Sequence, residues 1–153
     1  MTIILRAVIL LLSFILLPGC GSGGLHLPRP DLYASLATID PPQGRHPPAA
    51  VTVEFLAKNA TDAPLWLRRL DITLTSHGAD LAAGIWDGNR LIDPGTSLFL
   101  EVSLPLLEPP ILPTTDTPGS LLVKTRYARS GILGLMGGES FTYELPIVVR
   151  TTD

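Results

Sequence analysis

Apolar and polar residues alternate along most of the chain beyond residue 31. Alternation with a period of two residues is typical of β-strands that bury one face. It predicts seven strands separated by turn residues: Leu32–Thr38, Val51–Ala57, Leu65–Ser76, Leu81–Trp86, Leu98–Leu104, Leu121–Tyr127 and Phe141–Val149. Fifteen prolines, which lack the backbone donor that a helix needs, are spread along the chain. The pattern therefore predicts an all-β fold, a seven-stranded antiparallel β-sandwich.

The third strand carries an irregularity. Leu65 and Leu67 lie on one face, whereas Leu70 and the apolar residues after it lie on the other. An extra residue in a strand produces such a switch, so we predict a β-bulge at Arg68-Arg69. Asn59 and the residues after it have turn chemistry.

An apolar run comes before the alternating region. Arg6 precedes Ala7–Leu17, which is apolar throughout except for Ser13, and the run ends at Leu17-Pro18-Gly19-Cys20. A basic start, a short apolar centre and small residues at a cut site are the layout of a secretory signal. The last four residues resemble the lipobox of bacterial lipoproteins, although Pro18 departs from the commoner residue. An ordinary secretory signal with an incidental cysteine is the alternative.

This resemblance divides the chain into three parts. Residues 1–19 are expected to be a lipoprotein signal peptide, residues 20–30 a lipidated Cys20 with a flexible tether, and residues 31–151 the folded domain. The partner is then a membrane, reached through the lipid on Cys20. Gly21 is not the aspartate that resembles an inner-membrane retention signal. We therefore expect a cell-envelope location, on the periplasmic face of the outer membrane where two membranes exist.

The domain resembles the late embryogenesis abundant (LEA) type 2 family, also called the WHy domain. The resemblance covers Leu32 to Val149 and is carried by Val51–Asn59, Ala63–Leu67, Leu70–Leu74, Gly78–Gly84 and Asp93–Val102. The family's Asn-Pro-Asn is reduced here to Asn59-Ala60-Thr61, and prolines at 105–113 stand where the family often has a short helix. The resemblance implies an immunoglobulin-like or fibronectin-III-like sandwich, no catalytic centre, and an association with desiccation or other stress.

Charge and motifs point away from several function classes. The formal net charge is −3, and no Lys/Arg cluster exceeds Arg68-Arg69, which argues against a nucleic-acid partner. The serines lie in no Gly-x-Ser-x-Gly motif. We expect no enzyme activity, no cofactor and no metal. The side chains that could bind a metal or act as acid–base groups are not spaced for either role: His26, His46, His77, the Asp87-Gly88-Asn89 turn with Asp93, and Glu54, Glu101 and Glu144.

Two connections are unusually apolar, residues 131–138 and the proline-rich residues 106–113. They either cap the ends of the sandwich or contact a membrane or partner. If every strand spans the full height, the loops at 59–64, 87–96 and 129–139 lie at the tether's end. The loops at 40–49, 76–80 and 105–118 then lie at the opposite end. We therefore expect the following residues to face the bilayer: Ile132, Leu133, Leu135 and Met136.

These features predict a membrane-anchored, non-catalytic lipoprotein with a binding or protective role under stress. The alternative is a carrier of lipid or another apolar ligand, or an envelope assembly subunit. A carrier predicts a cavity lined by residues such as Phe55, Leu74, Leu100 and Tyr143. A hydrolase would need clustered polar residues on one rim, and the sequence offers none.

Overall fold

The computed structural model describes residues 26–39, 50–107, 116–129 and 138–151. Cys20, His46 and the predicted membrane-facing residues Ile132, Leu133, Leu135 and Met136 lie outside these ranges. The described residues form eight β-strands: β1 (Asp31–Ile39), β2 (Ala50–Lys58), β3 (Leu65–Ser76), β4 (Ala79–Trp86), β5 (Arg90–Ile92), β6 (Ser97–Pro105), β7 (Thr117–Arg129) and β8 (Glu139–Thr151). The prediction of an all-β fold is confirmed.

The arrangement of the strands differs from the prediction. All eight belong to one sheet in the order β4-β3-β7-β8-β1-β2-β6, with β5 paired to β3. Neighbours are antiparallel except β1 and β8, which run parallel from the Leu36↔Val148 pair to the Ile39↔Thr151 pair. The seven antiparallel strands of a sandwich are thus replaced by a curled mixed sheet, a half-barrel. The difference arises because the first and last strands pair with each other and join what would be two separate sheets.

β5 was missed by the sequence analysis. It has only three residues, too few for alternation to show, and it lies between two clusters of turn residues. β4 pairs with β3 over Leu70–Ser76, and β5 pairs with β3 over Leu65–Leu67. Asn89 adopts a φ of 47° between them. β5 therefore continues the edge of the sheet that β4 begins.

The predicted bulge in β3 is confirmed. The pairing of β3 with β7 shifts register between Leu67 and Arg69. The buried positions change there from Leu65 and Leu67 to Leu70 and Ile72, while Arg68 is exposed. One inserted residue thus keeps both halves of the strand facing the core.

The core lies on the concave side of the curled sheet. Its largest fully buried side chains come from every strand except β4 and β8: Tyr127, Phe55, Ile39, Leu65, Leu67, Leu70, Leu74, Ile92, Leu104, Leu121, Val51 and Val53. The two end strands, β4 and β6, approach each other at the Ala82↔Leu106 bridge. A Cβ on Gly84 would lie 3.0 Å from Leu104 Cδ2, so glycine permits this approach.

Strand directions define two ends of the sheet. β1, β3, β6 and β8 begin at one end, where β2, β5 and β7 finish; we call it the proximal end and the opposite one the distal end. The chain leaves β7 at Arg129 and enters β8 at Glu139, both at the proximal end. The predicted division of the loops between the two ends is therefore confirmed for the strand ends that flank them.

Candidate functional site

The segment before β1 is docked against β8 at the proximal end. The Leu27 amide donates to Glu139 Oε2 at 2.8 Å, and His26 Nδ1 lies 3.1 Å from Glu139 Oε1. Leu27 is buried and belongs to the core. Residues 26–30 of the segment expected to be a flexible tether are thus held by the fold. His26 and Leu27 therefore meet the sheet at Glu139, the first residue of β8, just after the apolar connection in the sequence.

Tyr143 holds the rest of this segment. Arg29 donates to the carbonyl oxygen of Thr142 at 2.7 Å, and its guanidinium carbon lies 4.3 Å from the centre of the Tyr143 ring. The Tyr143 hydroxyl donates to the carbonyl oxygen of Pro30 at 2.5 Å. Burial raises the pKa of Tyr143, with Arg29 opposing that shift. These contacts place the start of β1 against β8 and prepare the parallel pairing that follows.

Asn59 organises the proximal end between β2, β3 and β5. Its fully buried side chain donates to the carbonyl oxygens of Ala63 at 2.8 Å and Ile92 at 2.9 Å. Its Oδ1 accepts from the Thr61 amide at 3.0 Å and from the Thr61 hydroxyl at 2.7 Å. The prediction that Asn59 forms a turn is confirmed. Its hold on Ile92, 33 residues away, was not predicted because no local pattern indicates it.

Positive charge is concentrated in the proximal half, which reaches from the proximal strand ends to Arg69 and Arg126. This half holds seven of the nine described lysines and arginines: Arg29, Lys58, Arg68, Arg69, Arg90, Arg126 and Arg129. It holds five of the eleven described carboxylates: Asp31, Asp62, Asp87, Asp93 and Glu139. The described part of the proximal half therefore carries a net charge of +2, and the remaining described residues carry −4.

The outer face of the sheet exposes two apolar rows near the proximal end. Tyr33, Leu56 and Phe99 are direct cross-strand neighbours on β1, β2 and β6, beside a shallow groove of about 270 Å³. On the other side of the half-barrel, Leu91 and Trp66 are cross-strand neighbours on β5 and β3. Exposed apolar rows of this kind are typical of contact surfaces.

The remaining predicted site residues have structural surroundings. Phe55, Leu74, Leu100 and Tyr143, the expected lining of a carrier cavity, are all packed in the core cluster. His26 lies at the proximal end, whereas His77 lies in the β3–β4 turn at the distal end. Within the described ranges, no group of three or more His, Cys, Asp or Glu side chains is placed to hold a metal ion.

In the part of the chain that the structure describes, no helix has the length and apolar character that crossing a bilayer requires.

No protein-family model matches the chain. No curated protein matches it either. Solved structures do: a candidate late embryogenesis abundant protein, solved in solution, matches with a TM-score of 0.52 and 11% identity, over 95% of this chain and 84% of its own. The fold is LEA-like.

Two further structures resemble the chain. Northeast Structural Genomics Consortium target SoR45 has a TM-score of 0.50 and 14% identity, over 80% of this chain and 86% of its own. A protein from Archaeoglobus fulgidus has a TM-score of 0.47 and 14% identity, over 84% of this chain and 99% of its own. At such low identities these matches concern the fold, and the LEA-like fold by itself specifies no chemistry.

Proposed function

We propose that this protein is a lipid-anchored, non-catalytic component of a bacterial cell envelope that binds or shields at the membrane face under stress. Cys20 carries the lipid in this proposal, and the LEA-like sheet is the working domain. The observation that carries the proposal is the docking on β8 of residues 26–30, which follow closely in the sequence on the lipobox-like motif that ends at Cys20.

Chain length limits how far the sheet can stand from the membrane. Five residues lie between Cys20 and His26, and the six steps from one to the other span at most about 20 Å when fully extended. His26 contacts Glu139 at the proximal end. With Cys20 in the bilayer surface, the proximal end is therefore the end that faces the membrane.

The apolar connection fits the same orientation. Arg129 and Gly138, which flank residues 130–137, lie at the proximal end. Ile132, Leu133, Leu135 and Met136 are then proposed to contact the bilayer. We expect Leu133→Asp with Leu135→Asp to weaken vesicle binding by a soluble form of residues 21–153. Unchanged binding would remove this connection from the proposal.

The stress-related role has separate support. The sequence resembles the LEA type 2 family, and the fold matches that of a candidate LEA protein. A strain that lacks the gene is therefore expected to survive drying less well than one carrying it, and Cys20→Ser should not restore survival. Equal survival of all strains would oppose a desiccation role and leave the anchor unaffected.

Mass spectrometry of the membrane fraction tests the anchor directly. Expression of the full chain in a bacterium with lipoprotein processing should yield a mature protein beginning at Cys20 with a diacylglyceryl group. The Cys20→Ser variant should carry no lipid and should leave the membrane fraction. A protein cleaved elsewhere, with an unmodified thiol, would support the alternative of an ordinary secretory signal.

A further inference from the structure

We infer that the outer face of β5, β3 and β7 at the proximal end binds anionic phospholipid headgroups and thereby orients the sheet on the membrane. This surface, which we call the arginine–tryptophan surface, consists of Trp66, Leu91, Arg68 and Arg126. The inference rests on the proposed function, which brings the domain to a membrane. It deepens that function because it specifies the class of lipid that the anchored domain contacts.

Strand register brings these residues together. Leu91 on β5 pairs with Trp66 on β3, which pairs in turn with Ala128 on β7. Leu91 is 42% exposed, and Trp66 is partly exposed on the outward side of β3. The bulge places Arg68 on the surface two residues from Trp66. Arg126 lies on the outer face of β7, two residues before Ala128, so Arg68 and Arg126 flank an exposed apolar centre.

Three proximal arginines form no ion pair within the described residues. Arg69 is neutralised by Asp71 at 2.7 Å, and Arg150 at the distal end by Asp116 at 2.7 Å. Among the described carboxylates, none forms an ion pair with Arg90, Arg126 or Arg129. The aliphatic stem of Arg126 lies beside Gly138. A surface that sets two arginines next to an aromatic ring suits an anionic layer whose boundary is partly apolar.

The charge asymmetry selects a membrane as the occupant. An anionic leaflet attracts the described proximal half at +2 and repels the remainder at −4, so it favours one orientation. That attraction decays within about 8 Å at physiological salt. The lipid anchor keeps the surface close enough to act, because tethering raises its effective concentration at the bilayer. The lipid supplies the anchorage, and the surface supplies the orientation.

The two tryptophans of the chain provide the readout. Trp66 belongs to the surface, whereas Trp86 packs against the core. In the Trp86→Phe variant, Trp66 is the only tryptophan, and brominated lipids in phosphatidylglycerol-containing vesicles should quench it. In the matched Trp66→Phe variant, Trp86 should be quenched far less. The soluble form, residues 21–153, retains the whole described core, which runs from Leu27 to Val149.

Charge and apolar contact are tested by matched variants of the same soluble form. Arg126→Gln should lower the partition coefficient onto these vesicles about fivefold, whereas Arg150→Gln at the distal end should change it less than twofold. Leu91→Ser should also weaken binding, while Val148→Ser, at a distal position 41% exposed, should not. Raising the salt concentration or omitting phosphatidylglycerol should abolish the difference between the arginine variants.

Several results would overturn the inference: equal quenching of both tryptophans, equal effects of Arg126→Gln and Arg150→Gln, or binding that ignores phosphatidylglycerol. The last result would favour a protein partner or a purely apolar contact instead. Because the soluble form lacks Cys20, none of these results depends on lipidation. An unmodified Cys20 in the membrane experiment would reject the anchor and leave the vesicle measurements to decide on the surface.

Discussion

At the scale of single residues, Asn59 is the best-defined determinant of the proximal end. The NH2 group and the oxygen of its side-chain amide each make two hydrogen bonds. Its main chain adds two more: the backbone N–H donates to the Thr96 carbonyl at 3.0 Å, and the backbone carbonyl accepts from the Gly95 N–H at 2.9 Å. A buried amide bonded in this way costs little to bury, while its loss leaves several backbone groups without partners. The β2–β3 and β5–β6 connections therefore depend on one side chain.

Asn59→Ala is expected to lower the free energy of unfolding by about 2–4 kcal/mol, because the Ile92 carbonyl loses its buried side-chain donor and the Thr61 amide loses its acceptor. Denaturant unfolding followed by circular dichroism measures the change. Asp62→Ala, at an exposed position in the same connection, serves as the control and should change it by less than about 0.5 kcal/mol. Equal midpoints for the two variants would contradict the role given to Asn59.

At the scale of elements, the segment before β1 decides how the sheet is joined. Glu139 and Tyr143 of β8 hold Leu27 and Pro30, and β1 then runs parallel to β8. The alternating pattern of β1 predicts a strand but names no neighbour. Both hydrogen bonds join residues more than one hundred positions apart, so their formation belongs to the assembly of the whole sheet.

Glu139→Ala should loosen this junction, because the Leu27 amide loses its acceptor. We expect a loss of about 1–2 kcal/mol in unfolding free energy. Hydrogen exchange at the Leu27 amide should be faster in the variant than in the wild type, whereas exchange at amides in the centre of β7 should change little. Glu144→Ala, an exposed carboxylate on the same strand, is the control. If the Leu27 amide kept its protection in Glu139→Ala, the docking of this segment would not depend on the carboxylate.

At the scale of the whole molecule, two buried tyrosines connect the stability of the fold to alkaline pH. Burial raises the pKa of Tyr127 and, with Arg29 opposing, that of Tyr143 above the ordinary 10.0. Tyr127 packs edge-on against Phe141, and its hydroxyl has no hydrogen-bond partner in the described structure. The folded state therefore keeps protons that the unfolded chain releases above that value.

The contribution of these two tyrosines to the free energy of unfolding is complete below about pH 10, the pKa of tyrosine in an unfolded chain. It is lost as the pH rises toward their raised pKa values in the folded state. The denaturant concentration at the unfolding midpoint should therefore decrease as the pH is raised from about 9 to about 11. Tyr127→Phe should fold about as stably as the wild type at pH 7, because the hydroxyl has no described partner to lose. Its midpoint should fall less steeply above pH 10; an identical pH dependence would contradict this account.

Orientation also belongs to this scale. The short chain from Cys20, the docked segment and the charge asymmetry all refer to the proximal end. Cys20 and the apolar connection were evident from the sequence, whereas the arginine–tryptophan surface was not. Arg68 and Arg69 were noticed only as a bulge position and as a pair too small to indicate a nucleic-acid partner. Leu91 was assigned to a loop, and the register that sets it beside Trp66 comes from β5, a strand too short to predict.

The sequence by itself determined the all-β class, most strand positions, the bulge in β3 and the turns, because each depends on the spacing of neighbouring residues. Only the tertiary structure decided that β1 lies parallel to β8, that one sheet curls into a half-barrel instead of two sheets packing as a sandwich, and that Asn59 holds Ile92. Those features are contacts between distant segments. A period-two pattern gives the side of a strand that is buried, but it does not say which strand lies beside it.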